Sequence, residues 1–188
     1  SGCLGIEALE NGWFDHSFLG ALVTKGVTVE QRKGNKTPRV CETPAGMINS
    51  IGLENVGLDE FLSDELPRWQ AFGKPVIVNI SGSRVEEYGA LAAAMSGTGV
   101  AALEVNISCP NVKKGGMVFG KDPDMARQVI AAVRQAAPDM YLIAKLTPNV
   151  TDINEIVASV VSAGANAVSL VNTFEAMSID LYTRRPRI

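Results

Sequence analysis

Three apolar runs of this sequence end alike. Val78-Asn79-Ile80-Ser81, Val105-Asn106-Ile107-Ser108 and Val171-Asn172-Thr173 each close a hydrophobic stretch with an asparagine and a hydroxyl. The first two asparagines, at positions 79 and 106, are 27 residues apart. Such spacing suits a strand, a crossover helix and its turns. Near-continuous apolar strands are expected where both faces of a parallel sheet are covered. Amides at the tips of such strands are costly to desolvate without partners, which points to a site at one end of the sheet.

The rest of the chain fits that frame. Leu19 to Thr28 reads as a strand carrying Lys25. Glu30 to Leu53 is rich in Gly, Pro, Asn and Thr and reads as a long loop or irregular hairpin, a length uncommon unless functional. Leu58 to Phe72 has helical spacing but contains Pro67, which predicts two short helical pieces. Val76 to Ser81 is a strand, Glu86 to Met95 a helix, and Leu103 to Pro110 a second strand and break. Asp122-Pro123 is an N-cap followed by a proline at the first helical position, and the helix runs to about Ala137. Tyr141 to Thr147 is a strand carrying Lys145. Asp152 and Glu155 start the next helix, with a core stripe of Ile153, Ile156, Val157, Val160 and Val161, and Gly164 ends it. Ala167 to Thr173 is the last strand.

Strands alternating with amphipathic helices predict an α/β parallel sheet. Polar residues at strand C-terminal ends are where a (β/α)8 TIM barrel keeps its active site. An open doubly wound sheet also binds there, but no G-x-G-x-x-G follows an early strand. About five strands are clear, against eight in a closed barrel. Residues 1–188 are therefore expected to be a single, incomplete barrel domain, without most of the first strand and the last two βα units.

Composition narrows the function. A net charge of −3 argues against a nucleic-acid or membrane surface as the main partner. No apolar run approaches the length of a membrane span, and the start has no signal-peptide pattern. Cys3, Cys41 and Cys109 are widely spaced without metal-type pairing, and one histidine, His16, cannot supply a His-based metal site. No metal is expected, and free thiols suit a reducing cytoplasm.

Lys25 and Lys145 each lie near the end of an apolar strand. One such lysine alone is best explained as a rim residue whose stem lies on apolar surface, or as the partner of a core carboxylate. Two at equivalent places suit a shared anionic or electron-rich ligand, and a flavin ring fits because a cation beside its N1/C2 edge stabilises the reduced anion. Asn79, Asn106 and Asn172 are either satisfied core amides or donors and acceptors for a flat, heteroatom-rich ring. Cys109 is either a buried inert thiol or a base, since an unperturbed thiol titrates near enough to neutrality to take a proton. No His or Asp stands close to it in sequence, which favours a general base over an acyl nucleophile. Trp13 and Trp69 read as packing, Cys3 and Cys41 as structural, and Arg184, Arg185 and Arg187 as a solvated cluster.

The run N-I-S-C-P-N-V-K-x-G-G with F-G-x-D-P resembles the dihydroorotate dehydrogenase family. Supporting matches run along the whole chain: SGCLG, GNKTPRVCETPAGMINSIGLENVG, LPRW, KLTPNVTDI and VNTF. The stretch VKKGG is more similar to the NAD-linked bacterial class than to the fumarate-linked one. The resemblance implies a (β/α)8 barrel with FMN at the strand C-termini and oxidation of (S)-dihydroorotate to orotate in pyrimidine synthesis. It implies Cys109 as the base. Ser1, Lys25, Gly26, Asn79, Asn106, Lys145 and Val171 are the implied FMN contacts. Lys25, Asn49, Ser50, Ile51, Gly52, Leu53, Asn106, Asn111, Asn172 and Thr173 are the implied substrate contacts. Implied partners are a second copy of the chain and an iron–sulfur/FAD electron-transfer subunit.

The sequence departs from the family pattern in two places. Glu175-Ala176-Met177 stands where the family usually has glycine before the methionine. The family's flavin-phosphate glycines lie in the last two barrel units, so residues 1–188 alone are expected to bind FMN poorly. Two further readings are a dihydropyrimidine dehydrogenase-like flavin oxidoreductase, which shares KLTPNVTDI, and a non-catalytic barrel remnant.

Overall fold

The computed structural model describes residues 5–13, 15–108 and 119–188. Its strands are β1 (Leu22–Val27), β2 (Val40–Thr43), β3 (Gly46–Asn49), β4 (Val76–Ile80), β5 (Ala102–Asn106), β6 (Leu142–Lys145), β7 (Ala167–Ser169), β8 (Ile179–Asp180) and β9 (Arg185–Pro186). Its helices are α1 (Ile6–Glu10), α2 (Leu58–Glu60), α3 (Leu66–Gln70), α4 (Val85–Met95), α5 (Pro123–Ala136) and α6 (Ile153–Ser162). A π-helical turn, Phe61–Glu65, joins α2 to α3.

Five strands form one parallel sheet in the order β1-β4-β5-β6-β7, each beside the next in sequence apart from the intervening β2–β3 hairpin. That unbroken order is what a barrel unrolls to, but the sheet is open and does not close among the described residues. Helices α4, α5 and α6 pack in a row. On the apolar face, Val78 and Ile80 stand level with Leu103 and Val105, and these with Leu142 and Ala144. All six are fully buried, in one cluster with Leu91, Met95, Val129, Ile130 and Val133. Full burial of each large aliphatic side chain contributes about 2 kcal/mol.

Local chemistry sets most boundaries. Asp122 caps α5 by accepting a hydrogen bond from Met125 N–H at 2.8 Å, and Pro123 opens the helix. Asp152 caps α6 through Asn154 N–H, and Gly164, at φ +105°, lies just past its C-cap. Ile156 and Val160 of α6 are buried and Ile153 and Val157 pack half-buried against the core, while Val161 is exposed rather than core.

Four sequence expectations shift. The strand expected from Leu19 starts at Leu22, whose N–H bonds Pro75 O. The strand expected over Ala167 to Thr173 ends at Ser169, although Asn172 N–H still reaches Leu146 O at 2.9 Å. The loop from Glu30 to Leu53 contains a regular hairpin, with Val40 opposite Asn49 and Thr43 opposite Gly46. The two helical pieces around Pro67 are one continuous helical run. Leu66 N–H bonds Phe61 O, five residues back, and this wider turn accommodates a proline that has no N–H of its own to give.

Candidate active site

The polar face of the sheet carries the candidate site. Across the strands, Gly26 stands level with Asn79, Asn79 with Glu104, and Asn106 with Lys145. Side chains two residues apart on a strand share a face, so Glu104 and Asn106 point the same way. Asn79 Nδ2 donates to Glu104 Oε2 at 2.5 Å, and Lys145 Nζ lies 3.8 Å from the same oxygen. Both the Glu104 and Lys145 side chains are almost entirely out of water, at 8% and 12% exposure. A buried carboxylate is tolerable only with such partners.

The strand tips above them form a second network. The buried Asn106 accepts from Ser108 Oγ at 2.7 Å and from Ser108 N–H at 3.3 Å. Asn172 donates from Nδ2 to Ser108 Oγ and reaches Asn106 Oδ1 at 3.5 Å. The Asn106 carbonyl accepts from Tyr88 OH at 2.8 Å, so α4 pins the end of β5 from behind. Next to it, Thr147 Oγ1 accepts from Asn149, whose own amide reaches Thr173 O at 3.2 Å. Ser108, Thr147, Asn149 and Thr173 line a cavity of about 250 Å³ with Asn49 from the hairpin and Glu175. Lys121 also lines it and pairs with Glu175 at 2.8 Å.

Lys25 and Gly26 line another cavity, of about 350 Å³, with Glu7, Glu65 and Trp69. Burial pushes the Glu65 carboxyl above its ordinary value and the neighbouring Glu7 adds to this, while Arg68 and Lys25 pull the other way. Trp69 is buried and its Nε1 has no hydrogen-bond partner among the described residues. Lys25 and Lys145 therefore have different surroundings, unlike the equivalent pair expected. The cause is a register shift in β1 between Val23 and Gly26, which places Lys25 inside the irregularity.

The remaining site residues separate clearly. Asn79, Asn106, Lys145 and Asn172 share the polar sheet face and strand tips, and Asn49 and Thr173 share the smaller cavity. Val171 is exposed beyond β7. Ser50 and Ile51 spend their carbonyls on Asn35, through its side-chain and backbone N–H groups. Gly52, expected to let backbone approach a ligand, has φ +82°, and a Cβ there would meet Asn35 N at 2.8 Å. The close approach it permits is to Asn35. Leu53 also has a positive φ, of 56°, and its side chain lies over Gly26. Ser1, Cys3, Cys109 and Asn111 lie outside the described residues.

The sequence reading missed Glu104, Thr147 and Asn149. An acidic residue inside an apolar run, two positions before Asn106, was the available signal for Glu104. Trp13 is exposed and Trp69 buried; His16 packs edge-on against Phe72 at 5.0 Å. Cys41 is half-exposed on β2, and the arginines at 184, 185 and 187 are exposed. Among the described residues, no helix is long and apolar enough to cross a membrane, and no group of three or more His, Cys, Asp or Glu is placed to hold a metal ion.

A family model for dihydroorotate dehydrogenase matches residues 1–188, the whole chain. The chain belongs to the dihydroorotate dehydrogenase family. It is 49% identical over 187 residues to the catalytic subunit of dihydroorotate dehydrogenase B (NAD(+)) of Geotalea daltonii, covering 99% of this chain and 61% of that one. The like-named subunit of Desulforudis audaxviator is 50% identical over 187 residues, with the same coverage. That of Geobacillus kaustophilus is 50% identical over 188 residues, covering 99% of this chain and 59% of the other. The chain thus spans about 61% of the length of the first of these relatives. These family members are of the NAD-linked form, the class that the VKKGG stretch resembles.

Proposed function

We propose that this chain forms the ring-facing and substrate-facing part of an FMN-dependent dihydroorotate dehydrogenase, which oxidises (S)-dihydroorotate to orotate for pyrimidine synthesis. The observation that carries the reading is the joining of strand tips β5, β6 and β7 through Asn106, Ser108, Asn172, Thr147 and Asn149 beside a cavity that also holds Asn49 and Thr173. Dihydroorotate is a small ring bearing amide groups and a carboxylate, and this lining offers amide and hydroxyl partners for it.

FMN fits the donor set on the polar face. The Asn79 and Asn106 amides and the Lys145 ammonium lie on one side of the sheet, and a flat heteroatom-rich ring takes up both donors and acceptors. Gly26 keeps the space beside the Asn79 side-chain oxygen Oδ1 free of a Cβ, which would sit 3.1 Å from it and 3.4 Å from the Leu53 side chain. When bound, FMN supplies the hydride acceptor for the substrate C6 hydrogen. Ser1, Lys25 and Val171 complete the proposed cofactor contacts. Lys25, Asn49, Ser50, Ile51, Gly52, Leu53, Asn106, Asn111, Asn172 and Thr173 are the proposed substrate contacts. Cys109, next in sequence after Ser108, takes the C5 proton. Asn172, donating to Ser108 Oγ, ties the substrate loop to the segment that bears this base.

The complete unit of this reading is a (β/α)8 barrel, with residues 1–188 forming part of one domain. It works in the cytoplasm as a homodimer joined to an iron–sulfur/FAD subunit that passes electrons to NAD. The test is Cys109→Ala in the FMN-loaded protein. Orotate formation is expected to fall by at least 100-fold while FMN absorbance is retained. Unchanged turnover removes the role of Cys109, and turnover of dihydrouracil in place of dihydroorotate overturns the substrate.

A further inference from the structure

We propose that Glu104 is a positioning residue for the ring site: it fixes which way the Asn79 amide faces and sets the charge beside Lys145. The proposal rests on the FMN reading above and extends it to a residue outside the motif positions.

The argument starts from what a carboxylate can do. An ionised carboxylate only accepts hydrogen bonds. The Asn79 side chain lies against Glu104 Oε2, so the end of the amide turned to β5 must be its NH₂. The other end, Oδ1, is thereby turned toward Gly26 of β1, where the Leu53 side chain also packs and Asn79 is buried. Glu104 thus determines that the amide oxygen, and not the NH₂ group, of Asn79 faces β1. A neutral amide at position 104 does not impose this, because it accepts either end of Asn79.

The second effect is electrostatic. Lys145 Nζ is 3.8 Å from Glu104 Oε2, and both side chains are almost wholly buried. Salt screens such a pair far less than it screens a surface pair. The carboxylate therefore offsets part of the positive potential that Lys145 presents on this face. A cation beside the flavin N1/C2 edge favours the reduced anion, and Glu104 restrains that preference. Removing its charge while keeping its shape makes the reduced state more favourable.

Three other interactions hold Glu104 in place for this role. Its strand is bonded on both sides, with Glu104 level with Asn79 on β4 and Ile143 on β6. The apolar residues either side of it, Leu103 and Val105, are completely buried. The β5 end is fixed by the Tyr88 hydroxyl on the Asn106 carbonyl.

The experiment measures the midpoint potential of FMN bound to the full-length protein, for the wild type, Glu104→Gln and Glu104→Asp. Gln keeps the acceptor oxygen and the volume but not the charge, so the potential is expected to move positive with FMN still bound. Asp keeps the charge but withdraws it by one methylene, so a smaller positive shift is expected, and this variant carries the test if Gln does not fold. A purely structural role predicts weaker FMN binding without a positive shift. Equal potentials, or a negative shift, in the folded variants overturn the role of Glu104 and leave the function intact. Failure of the wild type to take up FMN overturns the functional reading and this inference with it.

Discussion

The polar face of the sheet and the segment Glu30 to Gly57 beside it are both crowded with hydrogen-bonding side chains, and they use them in opposite ways. On the sheet, Asn79, Glu104, Asn106 and Ser108 are buried and bond mainly to one another. In the segment, Asn35, Arg39 and Asn55 bond largely to nearby backbone and to partly exposed partners. Asn35 holds Ser50 O, Arg39 reaches Asn35 O and Glu54, and Asn55 holds Leu53 O and Gly57 N–H. The first arrangement has no solvent to fall back on, so losing one member leaves another without a partner. The second shapes a loop, and water can replace what is lost. Stability should therefore concentrate in the sheet face, while the hairpin segment is held in shape at lower stakes.

The largest expected effect breaks the buried side of this comparison. Glu104→Ala leaves Lys145 and Asn79 without their shared oxygen, and a loss of about 3 kcal/mol in urea unfolding is expected. A loss under about 1 kcal/mol would show that water enters to replace the carboxylate. The hairpin side is sharpened by Glu54→Gln. Its pair with Arg39, at 2.6 Å, has side chains 24% and 40% exposed, and the cost is expected to be about 0.5 kcal/mol or less in the same measurement. A cost matching that of Glu104→Ala would erase the distinction.

The smallest effect concerns Glu65, half-buried beside Glu7, and it depends on pH. Its carboxyl is raised in the folded state by burial first and by Glu7 second. The folded state thus holds the proton more tightly than the unfolded chain does. Stability from this group is fully present below the unfolded carboxylate range and is lost as pH rises through the folded value. Glu65→Gln is expected to remove that loss. The variant should be more stable than wild type near pH 7, with the difference shrinking toward acid pH, as read from thermal melts across pH. A difference independent of pH would assign the effect to packing.

Much of this fold was legible because it follows from local rules. The apolar strands, the Asp122 and Asp152 caps and the Gly164 stop all depend on residues within a turn of one another. The strand-tip asparagines were legible as a group for the same reason: each follows an apolar run. What escaped reading depends on register. Glu104 could not be placed without knowing that it stands level with Asn79, and Lys25 could not be separated from Lys145 without the shift in β1. Gly52 was legible as a close approach, but the sequence did not say to what, and Asn35 lies 17 positions earlier. Thr147 read only as the end of a strand and Asn149 as part of the turn after it, yet the return of Thr173 makes them part of the cavity wall.

The wide turn at Phe61–Glu65 has a consequence for chain length. Phe61, Leu66 and Trp69 are all inward-facing, an interval of five and then three that a regular α-helix does not keep on one side. Shortening the turn by one residue would return these three to i, i+4 and i+7, so the same wall would still be covered on ordinary helical spacing. Pro67 would then fall inside an unrelieved helix, at about 3 kcal/mol. The proline therefore depends on the spare residue, and a variant library that removes both together should recover what the single deletion loses.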